Sequence, residues 1–430
     1  VNTGNYMSSE KSKARKLVSS PYAWGVLGLL TLIYISSFVD RQIIAVLAPQ
    51  IQQELSLSNF QVGLLYGTAF SLIYAVCGIP MGRMADIYSR RVMIVGGLLV
   101  WSLMTLVSGY AVSLTFLIVA RFFVGISESA LSPAVYSLLS DYFHSSQRGT
   151  VFSIYAAGIF VGIGVAFLGG GTVAQAYDWR MALRVVGAPG LLLAAIAWLV
   201  IRELPRGITQ GGRRYNTVMS FREVIRYILH KKTVRYHFLG FSFLAFTGYT
   251  ILGFIGIVLT DIHGASSMVP QYGWFMMATG LSVVASGKMA DWMARRWDAS
   301  RRFVMGIVAG LAGLPLYYFG LFAESATTAF MLIGLANVIS SSYNGVAAAI
   351  LQYLVKPDMR AQAGGLYLFV ISVVGFGVGP PLAGWLMDAV FTGPYGPAKA
   401  LMLVFSCCGI LASLCFLKAM RTYSQDKEQD

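Results

Sequence analysis

Charged residues are scarce in this sequence. Asp, Glu, Lys and Arg together make up 12% of its 430 residues, about half the roughly 25% usual in soluble domains. A soluble chain of this length, about three domains, would need far more charge to cover its surface. Cysteine is sparse as well. Cys77, Cys407, Cys408 and Cys415 lie in apolar runs, with neither zinc spacing nor a disulfide pattern, and read as small buried hydrophobes. His144, His230, His237 and His263 are scattered without metal spacing. No Gly-x-x-x-x-Gly-Lys-(Ser/Thr) phosphate loop occurs, since Gly287-Lys288 is followed by Met289. No nucleophile elbow or zinc helix occurs either. These absences exclude an ATP-driven engine and leave no catalytic constellation, so no enzyme, no metal and no cofactor are expected.

What is abundant is apolar: 57% of the chain. Disorder is excluded by that content, and coiled-coil and collagen architectures by the absence of their repeats. A multi-spanning, all-α membrane protein remains. Twelve stretches of spanning length can be marked, at 24–48, 60–82, 92–111, 113–139, 149–170, 182–201, 238–259, 272–290, 303–322, 328–355, 364–390 and 400–420. The polar opening, with Lys11, Lys13, Arg15 and Lys16, precedes an apolar run too long for a signal-peptide core. No cleavable signal is therefore expected.

The net charge of +14 would suggest a nucleic-acid partner in a soluble protein. Its distribution says otherwise. With twelve crossings, 27 of the 32 basic residues fall on the side of the N-terminus. Only Arg180, Arg184 and Lys399 fall on the other, and Arg41 and Arg121 lie inside spans. That asymmetry predicts a multi-pass membrane protein with both termini cytoplasmic, and no nucleic-acid partner. Below, the side rich in Lys and Arg is the basic face and the other the far face.

The chain also repeats. Gly82-Arg83-Met84-Ala85-Asp86-Ile87-Tyr88-Ser89-Arg90-Arg91 follows the second span, and Gly287-Lys288-Met289-Ala290-Asp291-Trp292-Met293-Ala294-Arg295-Arg296 the eighth. Two six-helix halves, 1–201 and 237–430, joined by a basic linker at 202–236, form a parallel repeat with a substrate site between them near the midplane. In the linker, Phe221, Val224, Ile225, Ile228 and Leu229 have helical spacing. Two placements are open for that helix: on the anionic leaflet or against the protein body.

The repeated decapeptide resembles the signature after helices two and eight of the major facilitator superfamily, Gly-x-x-x-Asp-(Arg/Lys)-x-Gly-(Arg/Lys)-(Arg/Lys). Gly82, Asp86, Arg90 and Arg91 match; Ile87 and Ser89 depart. The resemblance implies twelve transmembrane helices in two pseudo-symmetric bundles. Its Asp and Arg can form a cytoplasmic gate, here Gly82, Asp86, Arg90 and Arg91 with Asp291 and Arg295, in which Asp86 accepts from a helix N-terminus or a cation.

A second constellation lies inside the membrane. The first span carries Asp40-Arg41 and the fourth carries Arg121 and Glu128. Intramembrane ionisable residues are costly and are functional candidates by default; two of each sign can neutralise one another. Arg121, Gly125 and Glu128 are spaced i, i+4, i+7 and share a helix face, and Arg121-x-x-x-Gly125 resembles the superfamily's fourth-helix motif. A buried ion network that only fixes packing is the structural alternative. The functional reading is a proton relay. Desolvation makes a carboxyl hold its proton, and a neighbouring guanidinium releases it. Movement of Arg121 between Asp40 and Glu128 would exchange their proton affinities and couple proton flow to alternating access.

Small residues mark helix contacts at Gly158, Gly162 and Gly164, and at Gly375, Gly377 and Gly379 before Pro380-Pro381, where a kink is expected. The tenth span carries Asn337, Ser340, Ser341, Ser342, Tyr343 and Asn344. Asn337, Ser341, Tyr343 and Asn344, with Arg41, Arg121, Ser127 and Glu128, are candidate substrate-binding residues. Hydrogen bonding between helices is the alternative for the tenth-span group.

Asp40-Arg41, the run Gly125-Ile126-Ser127-Glu128-Ser129-Ala130 with Pro133, the exit Ser140-Asp141-Tyr142-Phe143 and the loop Ser145-Ser146-Gln147-Arg148-Gly149 resemble the spinster group of the superfamily. The resemblance implies a monomeric, proton-coupled secondary transporter, powered by a proton gradient and embedded among membrane lipids. Its substrates would be lysolipid- or sphingolipid-like molecules or other small amphipathic compounds. An organic-acid symporter and a multidrug exporter of the same superfamily are the alternatives. A sensor of this fold would not need the buried carboxylates.

Overall fold

The computed structural model describes residues 16–144, 146–206, 208–209, 220–356 and 359–427, without the side chains of 361 and 427. Lys11, Lys13, Arg15, Ser145 and the middle of the basic linker lie outside the described residues. Regular structure among the described residues is helical. Eleven helices are long and apolar enough to cross a membrane: α1 Pro21–Leu55, α2 Asn59–Ile87, α3 Arg90–Ser108, α4 Leu114–Tyr142, α5 Arg148–Ala176, α6 Trp179–Val200, α8 Lys232–Ile262, α10 Ala299–Leu321, α11 Ala326–Leu354, α12 Gln362–Ala389 and α13 Gly396–Asp426. The remaining expected span is α9, Gly273–Arg296, whose 24 residues suffice for about 30 Å of hydrocarbon. Lys288, Asp291, Arg295 and Arg296 at its end make it less apolar than the others.

Helix ends follow local chemistry rather than the limits of the apolar runs. Ser20 accepts from the Ala23 amide with Pro21 at the first helical position, Ser89 caps α3, Ser113 caps α4 and Asp178 caps α6. α1 runs past its apolar segment, through Pro49 and a glutamine-rich turn, to Ser56, whose left-handed φ of 51° ends it. The helix outlasts the expected span because apolarity measures hydrocarbon depth, whereas helix length depends on backbone bonds being satisfied.

Bundle one packs α1 to α6 and bundle two packs α8 to α13. Gly158 and Gly162 of α5 face Ile35 of α1, so the glycine stripe sits at a helix contact. The linker helix α7, Phe221–His230, opens with a reciprocal Ser220–Glu223 cap. It lies against bundle two. Val224 and Ile228 are buried there, and the Tyr227 hydroxyl donates to the Leu354 carbonyl at 3.1 Å.

The bundles meet chiefly in the half of the membrane toward the far face. Gly164 of α5 abuts Gly273 and Met277 of α9, and Gly256 of α8 abuts Pro49 of α1. Both α2 and α12 contain a wide π-helical stretch, at Leu64–Thr68 and Ile371–Val378. A π turn leaves a carbonyl without its ordinary partner; Gly377 of α12 receives the Thr68 hydroxyl of α2 at 2.6 Å instead. The bend expected at Pro380 is therefore preceded by two turns of wide helix. At the basic end of the same two helices, Gly78, Gly82, Gly364 and Gly365 have, beyond their own helix backbone and chain neighbours, no atom within 4 Å of where a Cβ would stand.

Candidate functional site

The four intramembrane charges of α1 and α4 come together near the middle of both helices. Gly125 lets α4 lie close against α2, since a Cβ at that position would stand 2.8 Å from the Phe70 carbonyl oxygen. Arg41 donates to Glu128 at 2.8 Å, with both groups buried. Arg121 bonds neither carboxylate. Its guanidinium donates to the main-chain carbonyls of Asp40 at 2.9 Å and Arg41 at 3.3 Å. Asp40 is fully buried beside Trp101 and Thr105 of α3, and neither carboxyl oxygen has a hydrogen-bond partner. One Glu128 oxygen is likewise unpaired.

This arrangement has chemical consequences. The Arg41–Glu128 pair is internally neutral. Arg121 is held by dipoles instead of a counter-charge. Burying a charge without hydrogen-bond partners is expensive, so a proton taken up by Asp40 removes a charge that no donor holds in this conformation. The pair expected between Arg121 and a carboxylate is replaced in this conformation by Arg41–Glu128.

An aromatic shell surrounds the pair. The Arg41 guanidinium lies 4.6 Å from the Phe38 ring centroid, 4.7 Å from Phe70 and 4.7 Å from Tyr74, distances that give cation–π attraction. Arg121 lies 5.0 Å from Phe70. The shell continues into bundle two. Phe376 of α12 contacts Tyr66 at 4.8 Å and Phe70 at 5.8 Å, and Tyr249 of α8 stacks on Phe376 at 4.4 Å. The Tyr66 hydroxyl donates to Gln42 at 2.9 Å. The cation of bundle one is thus one ring away from a residue of bundle two. Phe38, Phe70, Tyr74, Tyr249 and Phe376 were not singled out in the sequence. Only Phe38, one turn before Arg41, carries a positional hint there.

The other expected substrate residues are placed differently. Ser127 bonds its own helix, at the carbonyls of Phe123 and Val124. Asn337 is buried in bundle two and donates to Met276 of α9 at 3.7 Å. Ser341 bonds Asn337 at 3.4 Å. Tyr343 is buried and stacks on Phe241 at 5.7 Å. Asn344 is exposed and bonds the Ser341 carbonyl. Bonds within their own helices hold Ser127, Ser341 and Asn344, and contacts between helices hold Asn337 and Tyr343.

The expected gate residues also divide. Arg90 is buried and knits bundle one together: it pairs with Asp141, with Glu203 at 2.6 Å, and with the Leu204 carbonyl at 2.6 Å. Glu203, outside the spans, also accepts from Ser89 at 2.9 Å and from the Arg91 amide at 3.0 Å. Burial pushes its carboxyl up, but the bonds from the Arg91 amide, Arg90 and Ser89 outweigh this and hold it below its ordinary value. Arg91 stacks on Trp198 at 4.2 Å. Asp86 is exposed and makes no hydrogen bond or ion pair among the described residues. Asp291 pairs with Arg302 at 3.3 Å, within bundle two. Arg295 lies in the last turn of α9. No group of three or more metal-ligating residues occurs among the described residues.

Comparison with known proteins gives three findings. The family described as Major Facilitator Superfamily matches residues 30–380. An "MFS-type efflux pump" of Mycolicibacterium smegmatis is 29% identical over 94% of this chain and 94% of its own, and "Protein spinster homolog 3" of Danio rerio is 26% identical over 96% and 87%. A crystal structure described as a bacterial homolog to the human lysosomal transporter Spinster, inward-facing and unoccupied, superposes with a TM-score of 0.84 at 27% identity, covering 95% of this chain and 99% of that one.

Proposed function

The chain belongs to the Major Facilitator Superfamily, and from that premise we propose that it is a proton-coupled secondary transporter that moves lipid-like or amphipathic organic molecules by alternating access. Membership, with the likeness to spinster homologues, makes it a spinster-like membrane transporter of small molecules and not an enzyme. The coupling, the substrate class, monomeric action and a bacterial inner-membrane location with cytoplasmic termini are our reading.

The observation that carries the proposal is the pairing of Arg41 with Glu128 beside an unpartnered Asp40. An ion pair that only fixed packing would not need a second buried carboxyl without partners. Protonation of Glu128 would weaken its hold on Arg41, and the freed guanidinium, ringed by Phe38, Phe70 and Tyr74, suits an anionic head group with an apolar body. The exchange of partners thus runs through Arg41, with Arg121 holding the α1 backbone in place. The supply of energy is the proton gradient, with no cofactor.

The test is uptake into proteoliposomes of lysolipids and of short organic acids, with and without an imposed pH gradient. Gradient-stimulated uptake of lysolipid supports the proposal. Competition by sugar acids with none by lysolipids would replace it with an organic-acid symporter. The similarity to an efflux pump favours one second reading, a multidrug exporter, for which several unrelated amphipathic cations would be moved instead.

A further inference from the structure

The contact between α2 and α12 is built with one spacing on both helices. On α2 the closest approaches are at 59, 63 and 67. On α12 they are 376, 380, 384 and 388. Each set advances by four residues and so lies on one helix face. A Cβ on Gly63 would stand 2.6 Å from the Pro380 carbonyl carbon, and one on Gly384 would stand 2.7 Å from the Phe60 amide nitrogen. The backbones therefore touch along the whole face. The series ends, at the far face, on a charge. Asp388 accepts from the Asn59 amide at 3.1 Å, from the Asn59 side-chain amide at 2.8 Å and from the Phe60 amide at 2.8 Å.

We propose that Asp388 is the polar end-stop of the far-side gate, a positioning residue that sets the balance between conformations closed and open at that face. The inference rests on the alternating-access reading above. The first amides of a helix lack intrahelical acceptors and carry the positive end of its dipole, so a carboxylate there makes charge-assisted bonds. Here the carboxylate comes from the other bundle. Separating α2 from α12 breaks three such bonds at once and returns the amides to water. The start of α2 does not need Asp388 for its own folding. Ser58 already accepts from the Gln61 amide, and Gln61 reaches back to the Ser58 amide. Asp388 takes the donors that this cap leaves over. Asn59 is held from the other side as well, since its side-chain oxygen accepts from Gln52 of α1 at 3.0 Å. The carboxylate therefore closes on a prepared position.

The experiment measures conformation, not transport. The native cysteines are replaced, Tyr110→Cys and Tyr395→Cys are introduced at exposed positions on the far ends of the two bundles, and both are spin-labelled. Distances are read by pulsed electron paramagnetic resonance in nanodiscs. The parent should show mostly the short separation. Asp388→Ala should shift the closed-to-open ratio by roughly tenfold or more, and Asp388→Asn, which keeps shape but loses the charge, by less. Gly63→Leu is the steric control that wedges α2 from α12. If the wedge lengthens the distance while both Asp388 variants keep the parent distribution, the end-stop is overturned and alternating access stands. If the wedge changes nothing either, both ideas fall. A wrong substrate class would leave these distances untouched.

Discussion

Arg41 of α1 binds Glu128 of α4 at 2.8 Å, while Asp40, the residue before it, turns to a different side of α1 and meets no hydrogen-bond partner. Neighbours in the chain thus serve opposite ends of one charge network. Successive helical positions are about 100° apart, so one can face α4 while the other faces α3.

Glu128→Gln removes the charge that holds Arg41 but keeps the shape of the side chain. Gradient-driven uptake should fall at least tenfold, and exchange without a gradient should fall less. Asp40→Asn should likewise lose gradient stimulation. Full stimulation in both variants would remove the relay.

Arg41→Ala leaves Glu128 buried without its cation, a change that costs about 3–5 kcal/mol in buried pairs. The double variant Arg41→Ala with Glu128→Gln should recover much of that loss in thermal unfolding, because no uncompensated charge remains. Binding is separable from folding here. A stabilising shift with anionic lysolipid is expected in the parent and should be absent in the double variant.

Gly125→Leu forces α4 away from the Phe70 carbonyl. Overpacking of this kind costs about 1–3 kcal/mol, and it moves two rings of the Arg41 shell, Phe70 and Tyr74. Lower thermal stability together with weaker lysolipid binding is the expected result; loss of stability alone would separate the shell from recognition.

The Arg90–Glu203 contact gives a pH dependence. Glu203 is held below its ordinary 4.5 in the folded protein. Its contribution is therefore present above about pH 4.5 and is lost as pH falls through the folded value. Glu203→Gln should lower the thermal midpoint at pH 7, and the gap to the parent should narrow as pH falls below 4.5 and through the folded value. A constant gap across that range would mean that the charge of Glu203 contributes nothing.

Some of this site was legible before the fold was seen. Asp40, Arg41, Arg121 and Glu128 stand out because charge in an apolar run is rare, and rarity survives any rotation of the helix. Their pairing was not legible. Arg121 was the expected mobile partner of the carboxylates, and the structure gives Glu128 to Arg41. Choosing between two arginines needs the rotation of α1 against α4, and a run that is apolar on every face does not reveal it. The aromatic shell was hidden for a related reason: Phe70 and Tyr74 look like any membrane aromatics until α2 is placed.

The sequence by itself determined the crossings, the asymmetry of the loops and the duplicated halves. Hydrocarbon demands about 20 apolar residues for each buried helix, and every charge must be placed against that cost. Tertiary structure alone decided which atoms meet. Asp388 reaches Asn59 from 329 residues away, and nothing local in either segment announces the contact. The membrane makes depth readable along a chain, because depth depends on composition. Direction depends on packing against neighbours, and lipid and protein interior are apolar alike.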